Sequence, residues 1–257
     1  IKKSEILAFV KAANENGEIH YKTKFFNSNN DLKLDEISFN SLDKALMLGN
    51  NRVEIKNVAN AIRRFAELQM AKFVADNKLA DIIVMDGNLQ CTLTNESKYL
   101  DELYESCINN NTILAALSKS SSLFADNGDL LSIILLRLSN LSSWFYHPIA
   151  DVNNENHKAD ICFVKFNDKS KHVFRFEILK FQKENAEAAI NEISSNCRDP
   201  IFLGYPYGLI EADRIARISN QEKESLKTML LVKLRNRNIE KYLSAVNAHE
   251  ILDRISF

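Results

Sequence analysis

The stretch "IIVMDGNLQ" at 82–90 runs four apolar residues, Ile82 to Met85, directly into Asp86 and Gly87. A carboxylate at the C-terminal end of a buried strand stands where ligands and catalytic groups gather in open α/β sheets. The rival reading is an Asp-Gly turn that merely closes the strand. Glu67 lies earlier, on the flank of a long helical pattern, and "YPYGLIEAD" sets Tyr205, Tyr207, Glu211 and Asp213 around a proline turn that enters a helix. Mg2+ and Mn2+ prefer hard oxygen ligands, and two-metal phosphodiester cleavage needs several carboxylates converging within a few ångströms. Lys119 in "SKSSS" is either a loop lysine or a phosphate contact aided by neighbouring hydroxyls. Glu177 shares a strand face with Arg175, which suggests an ion pair, with a third carboxylate ligand as the lesser reading. His147, His157 and His172 are scattered and receive no metal role.

Elements long enough to hold such groups are present. The chain has 257 residues, 46% of them hydrophobic and 26% charged, which suits one large α/β unit with a substantial core. A net charge of −1 excludes a global basic field, so any nucleic-acid contact must rest on local patches. Arg63 and Arg64 on the long helix, with Arg214 and Arg217 after the late motif, are the candidates for a DNA path. Solvated helix faces are the alternative. Cys91, Cys107, Cys162 and Cys197 form no CxxC or CxxH pair, which argues against a zinc knuckle and for reduced thiols in a cytoplasmic protein. No apolar run approaches the length of a membrane span. The first residue is Ile rather than Met, so a signal peptide cannot be judged.

The patterning predicts a short helix at 3–14, an otherwise weakly patterned 1–53, and a long helix over 54–78. The buried face of that helix is read as Ile55, Val58, Ile62, Phe65 and Phe73, widened by Ala66, Met70 and Val74. A strand at 81–85, a helix at 97–110, a strand at 112–118 and a helical "DLLSIILLRLSN" follow. Alternation over 159–179 predicts a hairpin with His172, Phe174, Phe176 and Ile178 on one face. Helices at 183–197, within 199–219, and twice over 221–256 complete a single domain spanning 1–257. The class is α/β, a mixed sheet flanked by helices.

The order of these features carries more information than any one of them. A helix bearing Glu, a strand ending "MDGNL", a strand ending "LSKSSSL", the "VFRFEI" strand, "GYPYGLIEADRIARIS" and a terminal "VNAHEILD" together resemble the NurA nuclease family, from about Glu54 to the C-terminus. The resemblance implies an RNase H-like sheet and a dimeric clamp around DNA. It further implies a Mn2+-dependent (or Mg2+-dependent) nuclease acting beside a HerA-type hexameric ATPase in DNA-end processing, in repair or antiviral defence. It assigns Glu67 and Asp86 as metal ligands, Lys119 as a phosphate contact and Tyr205 as the tyrosine of the late motif. That motif usually ends in histidine, where this chain has Asp213, which can ligate a cation but cannot serve as an imidazole acid/base. The family's first acid, an Asp-Gly-Ser-like element before the long helix, has no counterpart in 1–53; it lies upstream of Ile1 or is missing. A catalytically impaired DNA clamp or adaptor for the ATPase is therefore the alternative reading.

Overall fold

The computed structural model describes Ile55–Lys233 apart from 94–95, 140, 148 and 150–155, and before Ile55 only eight strand segments. Those segments are β1 (Lys3–Ile6), β2 (Ala12–Ala13), β3 (Ile19–His20), β4 (Lys24–Ser28), β5 (Asp31–Leu34), β6 (Ile37–Asn40), β7 (Met47–Leu48) and β8 (Asn51–Arg52). Strands β1, β4, β5 and β6 form an antiparallel sheet in that order. The helix expected over 3–14 is thus replaced at Lys3–Ile6 by a strand paired with Lys24–Asn27. A short amphipathic run bears the same apolar residues in either state, and here cross-strand pairing supplies the backbone partners. The chain divides into two compact units, Ile1–Ala216 and Arg217–Phe257. Of the second unit the described helix is α6 (Asn220–Lys233); the further helix expected toward 256 lies outside the described residues.

Helix α1 (Ile55–Asp76) begins the part that carries the site. No Gly or Pro interrupts it, and Ala61, Phe65, Leu68, Ala71 and Ala75 form its buried stripe. Met70 and Val74 are buried beside it as expected, but Phe73 is exposed. At about 100° per residue, Phe73 sits roughly a third of a turn away from Ala61, off the core face. Strand β9 (Ile82–Asp86), helix α2 (Glu96–Asn110) and strand β10 (Ile113–Ser118) form a crossover unit with parallel strands. Helix α3 (Leu131–Leu138) and a strand absent from the sequence reading, β11 (Trp144–Tyr146), lead to the hairpin β12 (Ala159–Lys165) and β13 (Phe174–Leu179). The sheet order is β11-β12-β13-β10-β9, antiparallel except for the β10–β9 pair. This is the mixed sheet flanked by helices that the patterning predicts.

The two faces of that sheet bury different things. Ile83, Met85, Leu114, Ala116 and Leu179 pack against α1 and α2, where Phe65 stacks on Tyr99 with ring centroids 5.0 Å apart. On the other face Leu117, Cys162, Val164, Phe174, Phe176 and Ile178 pack under α4 (Ala186–Ser195) and the approach to α5 (Tyr207–Ala216). The predicted face of Phe174, Phe176 and Ile178 is this one. Cys107, Cys162 and Cys197 are buried, and that burial pushes each thiol up to about 12, so none is poised as a thiolate near neutral pH. Among the described residues no helix is long and apolar enough to cross a membrane.

Phe65 is fully buried where α1, α2 and the sheet meet. Phe65→Ala is expected to cost about 3–5 kcal/mol, read as a lower urea midpoint with an unchanged slope. A loss below about 1 kcal/mol would show that this contact does not hold α1 in place.

Candidate functional site

Two parallel strands end side by side, and the first two functional groups stand at those ends. Leu117 of β10 is in register with Asp86 of β9 on one side and with Phe176 of β13 on the other. Lys119 follows β10 directly and places its Nζ 3.2 Å from Asp86 Oδ2. Both side chains are about half exposed, so the pair is well solvated and contributes little stability.

Tyr205 reaches the same carboxylate from a distant segment. Its hydroxyl donates to Asp86 Oδ1 at 3.3 Å, while its ring lies in the core, stacked on Phe202 at 4.8 Å and tilted against Phe174 at 5.4 Å. The Lys119 ammonium sits 5.4 Å from the centre of that ring, a cation–π contact. Burial, the charge of Asp86 and the hydrogen bond to it all push the Tyr205 phenol up, as does the charge of Asp213. Tyr205 therefore remains a hydroxyl donor, and Asp213 lies within electrostatic reach of it. The turn that delivers Tyr205 contains Gly204 at φ +88°, where an added Cβ would meet Ser170 Oγ at 2.5 Å. Only glycine fits there.

Glu67 projects from the flank of α1, with Arg63 Nε 3.5 Å from its Oε1. Burial pushes its carboxyl above the ordinary range; Arg63 and Arg64 pull it back, and the negative charge of Asp86 adds to the rise. Glu67 and Asp86, which the sequence reading proposed to meet, are thus within electrostatic reach of one another. Among the described residues, however, no three His, Cys, Asp or Glu side chains converge closely enough to hold a metal ion. In donor type the pair suits a hard divalent cation. Mg2+ in particular is usually held by one or two carboxylates, with substrate phosphate and water completing its shell.

Arg64 does something other than line a DNA path. Its Nε donates to Glu96 Oε1 at 2.9 Å and its Nη2 to the Asn88 carbonyl at 2.8 Å, with only 17% of the side chain exposed. It lies next to Phe65 on the inward side of α1, whereas Arg63, one residue back, points outward with 64% of its side chain exposed. Glu96, 1% exposed, also accepts from Thr92 N at 2.7 Å and Leu93 N at 3.1 Å, so Arg64 neutralises a buried acid that organises the loop before α2. Arg214 is exposed and bidentate to Glu211 on α5. Tyr207 is exposed as well, and Arg217 belongs to the second unit.

Sequence reasoning named Glu177 but missed its buried contact with His157. Glu177 is 0% exposed and His157 4% exposed, with His157 Nε2 2.7 Å from Glu177 Oε2. The same oxygen accepts the Leu89 N–H at 2.9 Å, and Arg175 Nη2 lies 2.6 Å from Oε1, the ion pair expected from the shared strand face. Burial alone raises the Glu177 carboxyl, but the His157 hydrogen bond, the Arg175 charge and the Leu89 N–H outweigh it and hold the group below its usual range. An unpaired-looking histidine in a polar insert offered no local pattern from which this contact could be found.

With this geometry established, comparison with known proteins is decisive for the family. The NurA domain family model matches residues 7–218. The chain belongs to the NurA family. The crystal structure of the NurA nuclease from Sulfolobus solfataricus is similar in fold, with a TM-score of 0.51 at 15% identity, over 91% of this chain and 82% of that one. No curated protein matches the chain. The family match reaches back to residue 7, so it takes in the amino-terminal part that the motif resemblance did not reach.

The raised carboxyl of Glu67 fixes a sign. A carboxylate whose folded pKa exceeds its unfolded one carries no penalty below the unfolded value, and it destabilises progressively as pH rises through the folded value. Glu67→Gln is therefore expected to raise the melting temperature at pH 7, and the gain should fade once the pH falls below the ordinary value of 4.5. Parallel melting curves of the two proteins at pH 7 and pH 4 check this; a gain of equal size at both would show that the burial is not electrostatically costly.

Proposed function

We propose that this chain is a cytoplasmic DNA nuclease of the NurA type that depends on a divalent cation, Mn2+ or Mg2+. The observation that carries the reading is Asp86 at the C-terminal end of β9, met there by Lys119 and the Tyr205 hydroxyl, in a chain of this family. When bound, a divalent cation supplies Lewis-acid polarisation of the scissile phosphate. Glu67 and Asp86 would hold it, and Asp213, coupled to Tyr205, would stand near enough to assist. Tyr205 orients the Asp86 carboxylate through its hydroxyl and keeps its proton throughout. Lys119 exchanges Asp86 for a substrate phosphate, and Arg63 and Arg214 offer further phosphate contacts. Local basic patches on a chain of net charge −1 make DNA binding weak alone and steeply salt-dependent. By family, the partners are a second copy of the chain and a HerA-type hexameric ATPase, and the setting is DNA-end processing in repair or antiviral defence.

A second reading, a clamp or adaptor with impaired catalysis, is favoured by two observations. No third ligand converges on Glu67 and Asp86 among the described residues, and aspartate stands at 213 in place of the motif's histidine. Cleavage of linear DNA with Mn2+, with and without the ATPase, separates the two. Asp86→Asn is expected to abolish cleavage, because that carboxylate would hold the cation, with an unchanged circular dichroism spectrum. Equal cleavage by mutant and wild type would retire the site, and no cleavage by the wild type with its partner present would establish the clamp.

A further inference from the structure

We infer that Glu177 is a positioning residue for Asp86, acting through the main chain of residues 87–90; the inference rests on the cation-site reading above. Met85, Ala116 and Glu177 lie in one row across β9, β10 and β13, on the face covered by α1 and α2. Asp86 is the next residue along β9. After it the chain reverses at Gly87, whose φ of +110° is a glycine conformation, and folds back over the end of β10. Leu89, fully buried, drops into the core between α1 and α2, and its N–H is received by Glu177 two strands away.

Further polar groups of this segment are tied down too. Gly87 N donates to the Leu117 carbonyl at 3.0 Å, and Ser118 Oγ donates to the Gly87 carbonyl at 2.6 Å. Arg64 donates to the Asn88 carbonyl, and the Tyr104 hydroxyl to the Leu89 carbonyl at 3.1 Å. Gln90 and His157 form an antiparallel bridge, so the histidine that binds Glu177 also borders the segment. Glu177 is the one member that is charged, wholly buried and bonded to both the segment and its neighbour. The β9 ladder fixes Asp86 from before, and the Leu89 anchor fixes it from behind. Without the second, the segment after Asp86 would be held only by the contacts of Gly87, Asn88 and the Leu89 carbonyl.

The charge is needed because three donors face one side chain: Leu89 N–H, His157 and Arg175. In Glu177→Gln the shape is kept, but the amide offers a single acceptor oxygen, so its NH2 must confront one of those donors. Supporting residues of this kind typically cost ten- to a hundredfold in metal affinity when changed.

The experiment is a titration of Mn2+ into the full chain, with bound ion read from the loss of the free-ion electron paramagnetic resonance signal. Wild type is expected to bind, Asp86→Asn not to bind, and Glu177→Gln to bind about tenfold more weakly with a wild-type circular dichroism spectrum. Cleavage by Glu177→Gln should then recover at saturating Mn2+, which a merely unfolded fraction would not do. If Glu177→Gln fails to fold, Tyr104→Phe decides, since it removes only the hydroxyl on the Leu89 carbonyl and should weaken Mn2+ binding in the same direction. Wild-type affinity in a folded Glu177→Gln, or in Tyr104→Phe where that variant decides, would overturn the positioning role and leave the nuclease reading intact. Equal Mn2+ binding by wild type and Asp86→Asn would overturn both.

Discussion

A carboxylate with no solvent contact, three strands deep in a sheet, is the constraint around which this part of the fold is organised. Removing Glu177 from water is costly, and the cost is tolerated only because His157, Arg175 and the Leu89 N–H all address it. Each of these comes from a different part of the chain: the segment before β12, β13 itself, and the loop after β9. None can move without exposing the charge to an apolar core. The hairpin, the crossover strands and the loop beyond Asp86 are therefore locked in one relative arrangement, and the exposed groups at the strand ends inherit that rigidity. Glu96 with Arg64 plays the same part at the other end of the loop, joining α1 to the entry of α2.

The exposed site above is arranged on the opposite principle. Burial and a neighbouring anion push the Glu67 carboxyl up, a local electrostatic cost that a glutamine would relieve. A carboxyl pushed up by burial and by a neighbouring anion marks a candidate functional group. Tyr205 completes the contrast. Its ring belongs to the aromatic core with Phe174 and Phe202, and only its oxygen emerges to meet Asp86. The residue ties the site to the second face of the sheet, so both cores bear on one carboxylate.

Much of this was legible in the order of residues, because the strongest signals were local. The uninterrupted run after Glu54 specified α1, the apolar runs specified β9 and β10, and alternation specified the β12–β13 hairpin. Asp86, Lys119 and Tyr205 were found through motif order, and the structure brings them within hydrogen-bonding or ion-pair distance. What escaped was non-local. Arg63 and Arg64 look alike in sequence, yet one turn-fraction of a helix sends the first to solvent and the second onto Glu96. Phe73 read as core because apolarity was judged without the true centre of the stripe. His157 and Glu177 pair across twenty residues and a polar insert, a contact no periodicity announces. Strand β11 is three residues long and gains its identity only from pairing with β12.

The same chain thus contains two sorts of ion pair, and their difference bears on what the site can do. Glu177 with Arg175 and Glu96 with Arg64 have side chains at most 17% exposed, so breaking them strands a charge in a low dielectric. Asp86 with Lys119, Glu67 with Arg63 and Glu211 with Arg214 are substantially solvated on at least one side. Pairs of that kind contribute little, and their partners can be exchanged at small cost. Lys119 and Arg63 can therefore leave their carboxylates at little energetic cost. Rigidity beneath and exchangeability above are separate requirements, and here they are met by ion pairs distinguished mainly by their depth.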